Sequence, residues 1–308
     1  MKELTLYAGA KINIGLRVFE KRADGFHEIE SIFYPVGPQN SSLTPDRLTV
    51  TVLDKGESLS EAVAKTMAEV SEKEGITEAD VKVEDEVESF SKVVMLQQGI
   101  SYPGAPQDNI CVKAYNLLSA DFDLPRAVIS LEKHIPVGAG LGGGSSDGVC
   151  TLQALNTLCH LNLTQKQLLH YAAQLGSDCP FFVHNTPMVV TGRGEFLTPL
   201  PSTHPLLKLS ESYNIKIKFS PECFVSTKEA YSIVPKRKRE EQQKNIPIAE
   251  LLQNPVNEWR NSILNDFEEP VFKKYPQLNE LKLHLYNEGA EFVAMTGSGS
   301  AIFALFRS

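Results

Sequence analysis

Residues 136 to 147 read Pro-Val-Gly-Ala-Gly-Leu-Gly-Gly-Gly-Ser-Ser-Asp. Gly138, Gly140, Gly142, Gly143 and Gly144 surround Ala139 and Leu141 and run straight into two hydroxyls, Ser145 and Ser146, and a carboxylate. Glycine lets a backbone turn with φ > 0 and lets its N–H groups approach a ligand with no Cβ in the way. Val149, Leu152 and Leu155 then recur on one face of a helix. A glycine loop that ends on a helix N-terminus offers unpaired amides to an anion, and phosphate is the anion it suits. The run lacks the Gly-Lys-Ser/Thr ending of a Walker A loop. Gly138-x-Gly140-x-x-Gly143 fits a dinucleotide fingerprint in spacing only. The acidic residue due about 20 positions later is missing, because the chain there reads Cys159-His-Leu-Asn-Leu. A flexible linker is a poor reading too, since a strand-like Ala127-Val-Ile-Ser-Leu-Glu precedes the run and an amphipathic helix follows it.

Three other segments carry polar groups in suggestive places. Ala10-Lys11-Ile12-Asn13 sets a cation and an amide among apolar strand residues; alone, Lys11 reads as an exposed strand lysine. Leu175-Gly-Ser-Asp178-Cys-Pro-Phe-Phe puts one carboxylate between a helix stop and an apolar run; alone, Asp178 reads as a cap on a short helical turn. Thr296-Gly-Ser-Gly-Ser-Ala is a second small-residue loop, by itself a strand connection. Together with the glycine loop they supply a phosphate cradle, a lysine and an aspartate, the minimum for phosphoryl transfer to a hydroxyl. That transition state is stabilised mostly by positioned charge, while a carboxylate takes the hydroxyl proton.

The elements that must position these groups alternate. Residues 3 to 19 read as two short strands, Asp24-Gly25 as a turn, and Ile29 to Tyr34 as a strand. Ile110, Ala114, Leu117 and Leu118 share a helix face behind the capping pair Asp108-Asn109. Thr164 with Gln167 predicts a capping box for a helix over 164–175 that stops at Gly176. Beyond it, 215–219, 291–295 and 301–306 read as strands, and 227–233 and 278–287 as helices. Mixed ordering of this kind predicts an α+β architecture in two lobes.

With 308 residues the chain is long enough for two domains, and its net charge of −8 argues against nucleic acid or an anionic membrane as the main partner. No apolar stretch approaches the roughly 20 residues of a membrane span, and the first residues enter a strand pattern at once, so a cytoplasmic location is expected. The five cysteines fall in no C-x-x-C pair, which predicts free buried thiols. Neither cysteines nor histidines show zinc spacing. Residues 54–92 hold twelve acidic and five basic side chains. Leu59, Val63, Met67 and Val70 predict an amphipathic helix there, ending near Gly75, before the acidic run Glu84-Asp-Glu-Val-Glu. This segment, like Lys236-Arg-Lys-Arg-Glu-Glu, reads as a solvated face.

The chain resembles the GHMP kinase superfamily in Ala10-Lys-Ile-Asn, Arg22-Ala-Asp-Gly-Phe-His-Glu, the 136–147 run, Leu175-Gly-Ser-Asp-Cys-Pro-Phe-Phe, Gly192-Arg-Gly-Glu, Asn265-Asp-Phe-Glu and Thr296-Gly-Ser-Gly-Ser-Ala. The resemblance covers the chain apart from roughly 51–98. It implies a two-lobed α+β fold: an N-terminal lobe like ribosomal protein S5 domain 2, taken as the ATP-binding domain over 1–160 with the acidic insert at 54–92, and a ferredoxin-like C-terminal lobe over 161–308, with the substrate cleft between them. It implies ATP and Mg²⁺ as cofactors and a small-molecule alcohol as acceptor. The segments 22–28 and 175–182 narrow the resemblance to the kinase branch acting on the 2-hydroxyl of a cytidine diphosphate-linked methylerythritol, on the methylerythritol phosphate route to isoprenoid precursors.

The same resemblance distributes roles. Asp178 matches the catalytic base and Lys11 the lysine paired with it; Asn13 lies beside the substrate hydroxyls. His27 matches the residue bonding the cytosine edge, and Phe26 an aromatic that stacks on cytosine, where Tyr is common; stacking needs only the ring. Gly138 and Gly140 to Ser146, Leu141 included, match the triphosphate loop, with Mg²⁺ carried by ATP near Ser145 or Ser146 and no metal held by protein alone. Asn109 matches a residue near the adenine pocket, and Gly297 and Ser298 the loop closing over the substrate's phosphates. Gly148 stands where the family usually has Ala, a departure that weakens the first helical turn slightly. Two other readings remain open: a homoserine or mevalonate type of kinase, whose acceptors carry no base for Phe26 and His27, and a non-catalytic nucleotide binder, which has no need of a base such as Asp178. No feature of the sequence sets the oligomeric state.

Overall fold

The computed structural model describes residues 1–74, 82–83, 92–101, 104–220, 222–234, 237 and 245–308. Its strands are, in chain order, β1 (Lys2–Ala8), β2 (Ala10–Lys21), β3 (His27–Val36), β4 (Asp46–Val52), β5 (Lys82–Val83), β6 (Val93–Gly99), β7 (Ala127–Lys133), β8 (Met188–Gly192), β9 (Phe196–Pro199), β10 (Tyr213–Lys218), β11 (Phe292–Met295) and β12 (Ile302–Arg307). The helices that matter below are α1 (Leu59–Glu74), α2 (Ile110–Ser119), α3 (Gly143–Leu158), α4 (Gln165–Leu175) and α5 (Cys179–His184).

The chain forms two compact units, each drawn from several stretches: 1–9, 45–137 and 143–183 in one, 10–44, 138–142 and 184–308 in the other. This differs from the single boundary near residue 160 that the sequence suggests. β3 pairs with β8, which draws the β2–β3 hairpin to the later part of the chain. α4 instead packs on α2 and α3, which draws residues past 160 to the earlier part.

In the first unit the strand order is β1-β4-β7-β6-β5. Its neighbours run antiparallel except β6 and β7, which are parallel. Leu48, Val50, Ile129 and Leu131 on the strands and Val149, Leu152 and Leu155 on α3 are all buried, so the predicted apolar face of α3 is its core face. α4 carries the full capping box of Thr164 and Gln167 and ends at Gly176, as the sequence predicts. α1 buries Leu59, Ala62 and Val63, with Met67 against them, on Leu53, Val94, Leu96 and Val128. The helical half of the acidic segment is therefore part of a core. Gly75, residues 84–88, Lys236 and residues 238–241 lie outside the described residues. Arg237 makes a two-pronged ion pair with Asp266, at 2.8 and 2.7 Å.

The second unit holds two antiparallel sheets, β2-β3-β8-β9 and β10-β12-β11. Trp259, Phe292 and Phe303 stack edge-on and tilted in its core. β2 is one twelve-residue strand, interrupted by a bulge at Gly15, whose φ of 75° suits glycine. Both faces of its first half are covered. Ile12 and Ile14 are buried, but so are the alternating Lys11 and Asn13.

The packing around position 148 of α3 favours glycine over alanine. A Cβ there would stand 2.8 Å from Cγ1 of Ile110 and 3.5 Å from Leu175 Cδ1. Helix propensity favours Ala by about 1 kcal/mol, whereas overpacking costs about 1–3 kcal/mol. Gly148→Ala is expected to lower stability by about 1 kcal/mol in chemical denaturation, and adding Ile110→Val is expected to return most of it.

Candidate active site

The glycine-rich loop is split between the units, with Gly138–Gly142 in the second and Gly143 onward in the first. Gly138, Gly140 and Gly142 have φ of 73, 81 and 70°. The sharpest constraint is at Gly140, where a Cβ would lie 2.2 Å from the carbonyl oxygen of Thr296. α3 begins at Gly143, so the first-turn N–H groups have no acceptor within their own helix. At Gly144 a Cβ would meet nothing within 4 Å, which marks the open side of the helix start. Ser145 is half-buried and Ser146 buried.

The second unit gathers several of the predicted groups. Lys11 Nζ donates to Asn13 Oδ1 at 2.6 Å and sits 4.6 Å above the centre of the Phe33 ring. Its backbone N–H donates to Leu141 O at 2.8 Å. Asn13 donates through Nδ2 to Ser31 Oγ at 2.9 Å and through its backbone N–H to Thr296 Oγ1 at 2.9 Å. The Thr296 hydroxyl is also within 3.2 Å of Gly140 O. Gly297 (φ 56°) has no room for a side chain, because a Cβ would stand 3.0 Å from Gly140 Cα. Ser298 is half-buried on the same loop. Lys11 is 4% exposed, so it is no surface lysine.

In the first unit, half-buried Asp178 immediately precedes α5. The thiol of the next residue, Cys179, hydrogen-bonds the Ser145 side chain, which brings this turn against the start of α3. Burial, with the Asp178 charge adding to it, pushes that thiol up to about 11. Burial likewise raises Cys150 to about 12 and Cys111 further still. All five cysteines are free, and these three are unreactive near neutral pH. Asn109, 5% exposed, spends its Oδ1 capping α2 through Cys111 N–H at 2.9 Å.

His27 and Phe26 end a turn closed by Arg22 N–H to Phe26 O at 2.7 Å. His27 Nδ1 lies 2.8 Å from Phe19 O, so that nitrogen carries the proton and Nε2 of the neutral ring is an acceptor. The imidazole stacks on Tyr231, with centroids 5.4 Å apart. Phe26 is 52% exposed, and the Arg193 guanidinium lies 4.9 Å from its ring centre.

Sequence reasoning missed several of these groups. Tyr231 gains meaning only from a neighbour distant in the chain, His27. Lys133, Asp46 and Asp147 form a buried charge cluster: Lys133 Nζ bonds Asp147 Oδ2 at 2.8 Å and also Asp46 Oδ2. Burial raises the Asp147 carboxyl, with Asp46 adding to the rise and Lys133 opposing it. The only available signal was Asp147 at the end of the glycine run. Among the described residues no group of histidine, cysteine and carboxylate side chains could hold a metal alone. None of their helices is long and apolar enough to cross a membrane.

The domain described as "GHMP kinases N terminal domain" matches residues 109–186, and "GHMP kinases C terminal" matches 248–308. A 4-diphosphocytidyl-2-C-methyl-D-erythritol kinase of Bacteroides fragilis is 37% identical over 303 residues, covering 97% of this chain and 91% of the relative. The chain belongs to this kinase family. A crystal structure of 4-(cytidine 5'-diphospho)-2C-methyl-D-erythritol kinase superposes with a TM-score of 0.69 at 28% identity, covering 98% of this chain and 90% of that one. A homoserine kinase from Cytophaga hutchinsonii superposes with a TM-score of 0.59 at 18% identity, covering 100% and 86%, and shares the fold. This kinase is thus a two-lobed α+β GHMP protein, and GHMP kinases use ATP.

Its Asn265 holds the small-residue loop from beneath. Nδ2 donates to Met295 O at 2.7 Å and Gly297 O at 2.9 Å, while Oδ1 accepts from Phe267 N–H at 3.0 Å. Each buried group left without a partner costs about 1–3 kcal/mol. Asn265→Ala is expected to destabilise this kinase by about 3 kcal/mol, read from the shift in the denaturation midpoint.

Proposed function

We propose that the chain transfers the γ-phosphoryl group of ATP to the 2-hydroxyl of 4-diphosphocytidyl-2-C-methyl-D-erythritol. The hydroxyl oxygen forms the new bond to phosphorus, the bond to the β–γ bridging oxygen breaks, and ADP leaves with that electron pair. The hydroxyl proton passes to the Asp178 carboxylate. Lys11, fixed by Asn13, steadies the negative charge on the attacking oxygen. The N–H groups of residues 140–146 receive the phosphates; the positive φ of Gly140 and Gly142 and the lack of room for a side chain at Gly140 and Gly143 fit that use. Ser145 or Ser146 would meet Mg²⁺ brought in with ATP, and the ion would supply neutralisation of phosphate charge when bound. Ser298 and Gly297 face the acceptor's own phosphates, and Asn109 lies by the adenine.

The observation that carries the choice of acceptor is the fixed His27 ring. With Nδ1 committed to Phe19 O and one face on Tyr231, Nε2 can accept only from a donor such as the exocyclic amine of cytosine. The exposed face of Phe26 next to it gives that base a ring to stack on. Homoserine and mevalonate carry donors but no planar base that could stack on Phe26 while bonding His27. We place the reaction in the cytoplasm, in keeping with five unpaired thiols.

ADP release by the purified chain with Mg·ATP is expected only when the cytidine-linked acceptor is present. Asp178→Asn is expected to lower kcat by about a hundredfold or more. His27→Ala is expected to raise KM for the acceptor at least tenfold and leave KM for ATP within about twofold, as for loss of a hydrogen bond to a buried base. Release with homoserine or mevalonate in its place would overturn the assignment.

A further inference from the structure

The Asp46–Lys133–Asp147 cluster has no part in the chemistry above, yet it stands at both stems of the glycine-rich loop. Lys133 is the last residue of β7, before the loop. Asp147 lies in α3, just after it. The Lys133 Nζ to Asp147 Oδ2 bond of 2.8 Å therefore ties the loop's two ends together. Asp46, at the start of the neighbouring β4, holds the same ammonium with one oxygen. Its other oxygen, Oδ1, accepts from the backbone N–H groups of His134 and Ile135 at 2.6 and 2.8 Å, the first two residues of the loop. Gly143, opening α3, is packed on this arrangement: a Cβ there would stand 2.7 Å from Ile135 Cγ2 and 3.0 Å from Lys133 Nζ.

The three side chains are 0, 4 and 2% exposed, and Asp147 Oδ1 is buried with no hydrogen-bond partner among the described residues. A buried charge set of this kind contributes little to stability against an apolar filling of equal volume. What it supplies is direction. Strand end, first loop amides and helix start are locked to one ammonium, so the first-turn N–H groups of α3 point one way before any anion arrives. Order present in the free protein need not be created on binding, and affinity gains accordingly.

We propose that Asp46, Lys133 and Asp147 are positioning residues that set the affinity for ATP by fixing both stems of the glycine-rich loop. The proposal rests on the reading of that loop as the triphosphate site.

Asp147→Ala is the first variant to make, because it leaves Lys133 paired with Asp46, whereas removing Lys133 would strand two buried carboxylates. The expected result is a rise in KM for Mg·ATP of at least tenfold, with KM for the cytidine-linked acceptor within about twofold. Asp147→Asn still presents a carbonyl oxygen to Lys133 and is expected to restore KM for ATP to within about threefold. An unchanged KM for ATP in folded Asp147→Ala, equal rises for both substrates, or no rescue by Asn would each overturn the proposal. Gly144→Val, which fills the open side of the helix start, serves as the control. If it weakens ATP and Asp147→Ala does not, the positioning role fails alone; if neither does, the loop reading fails and takes the proposal with it. Should Asp147→Ala not fold, amide exchange in the nucleotide-free wild type decides. The His134 and Ile135 amides must exchange at least a hundredfold more slowly than in an unstructured peptide, and faster exchange overturns the proposal.

Discussion

Backbone pressed on backbone is the constraint from which the second unit's half of the site follows. The Thr296 carbonyl stands where a side chain at position 140 would be, and Gly140 Cα stands where one at 297 would be. Two loops far apart in sequence can approach so closely only if both lack a β-carbon at the crossing. Once they meet, Thr296 reaches Asn13, Ala301 N–H reaches Ala139 O, and Leu141 O takes the N–H of Lys11. The lysine's place is thus set by glycine geometry more than by its own side chain.

β2 shows how an ordinary strand is converted into part of a site. Alternation should give an apolar face and a wet face, and the wet face would carry Lys11 and Asn13. Here that face is covered as well, so both polar groups must find partners inside the protein or cost several kcal/mol. They find them in each other, in Ser31 and in Thr296, and the hydrogen bonds leave little freedom for the ammonium. The order needed for catalysis is the order that burial imposes.

The same logic separates reactive from inert groups. Cys179 adjoins the candidate base, yet burial and the neighbouring carboxylate keep its thiol protonated, so it serves as a packing group that joins α5 to Ser145. The acidic segment adds an apolar helix face to the first unit's core through Leu59, Ala62 and Val63. Charge density in a sequence measures what faces water and says nothing of what the opposite face covers.

By itself the sequence determined the local events: the 138–144 glycine turns, the helix that follows, the Thr164–Gln167 box, the turn at Asp24-Gly25, and a set of motifs that identify the kinase family. These are legible because φ preference, capping and periodicity act within a few residues of chain. Only the tertiary structure decided that β2 and β3 leave the first unit, that Gly148 is matched by Ile110, that His27 is clamped between Phe19 O and Tyr231, and that Lys133 spans Asp46 and Asp147. Each of those depends on which distant segments share a volume. Packing and the solvation of buried charge settle that across the whole fold, and no short stretch of sequence carries the information.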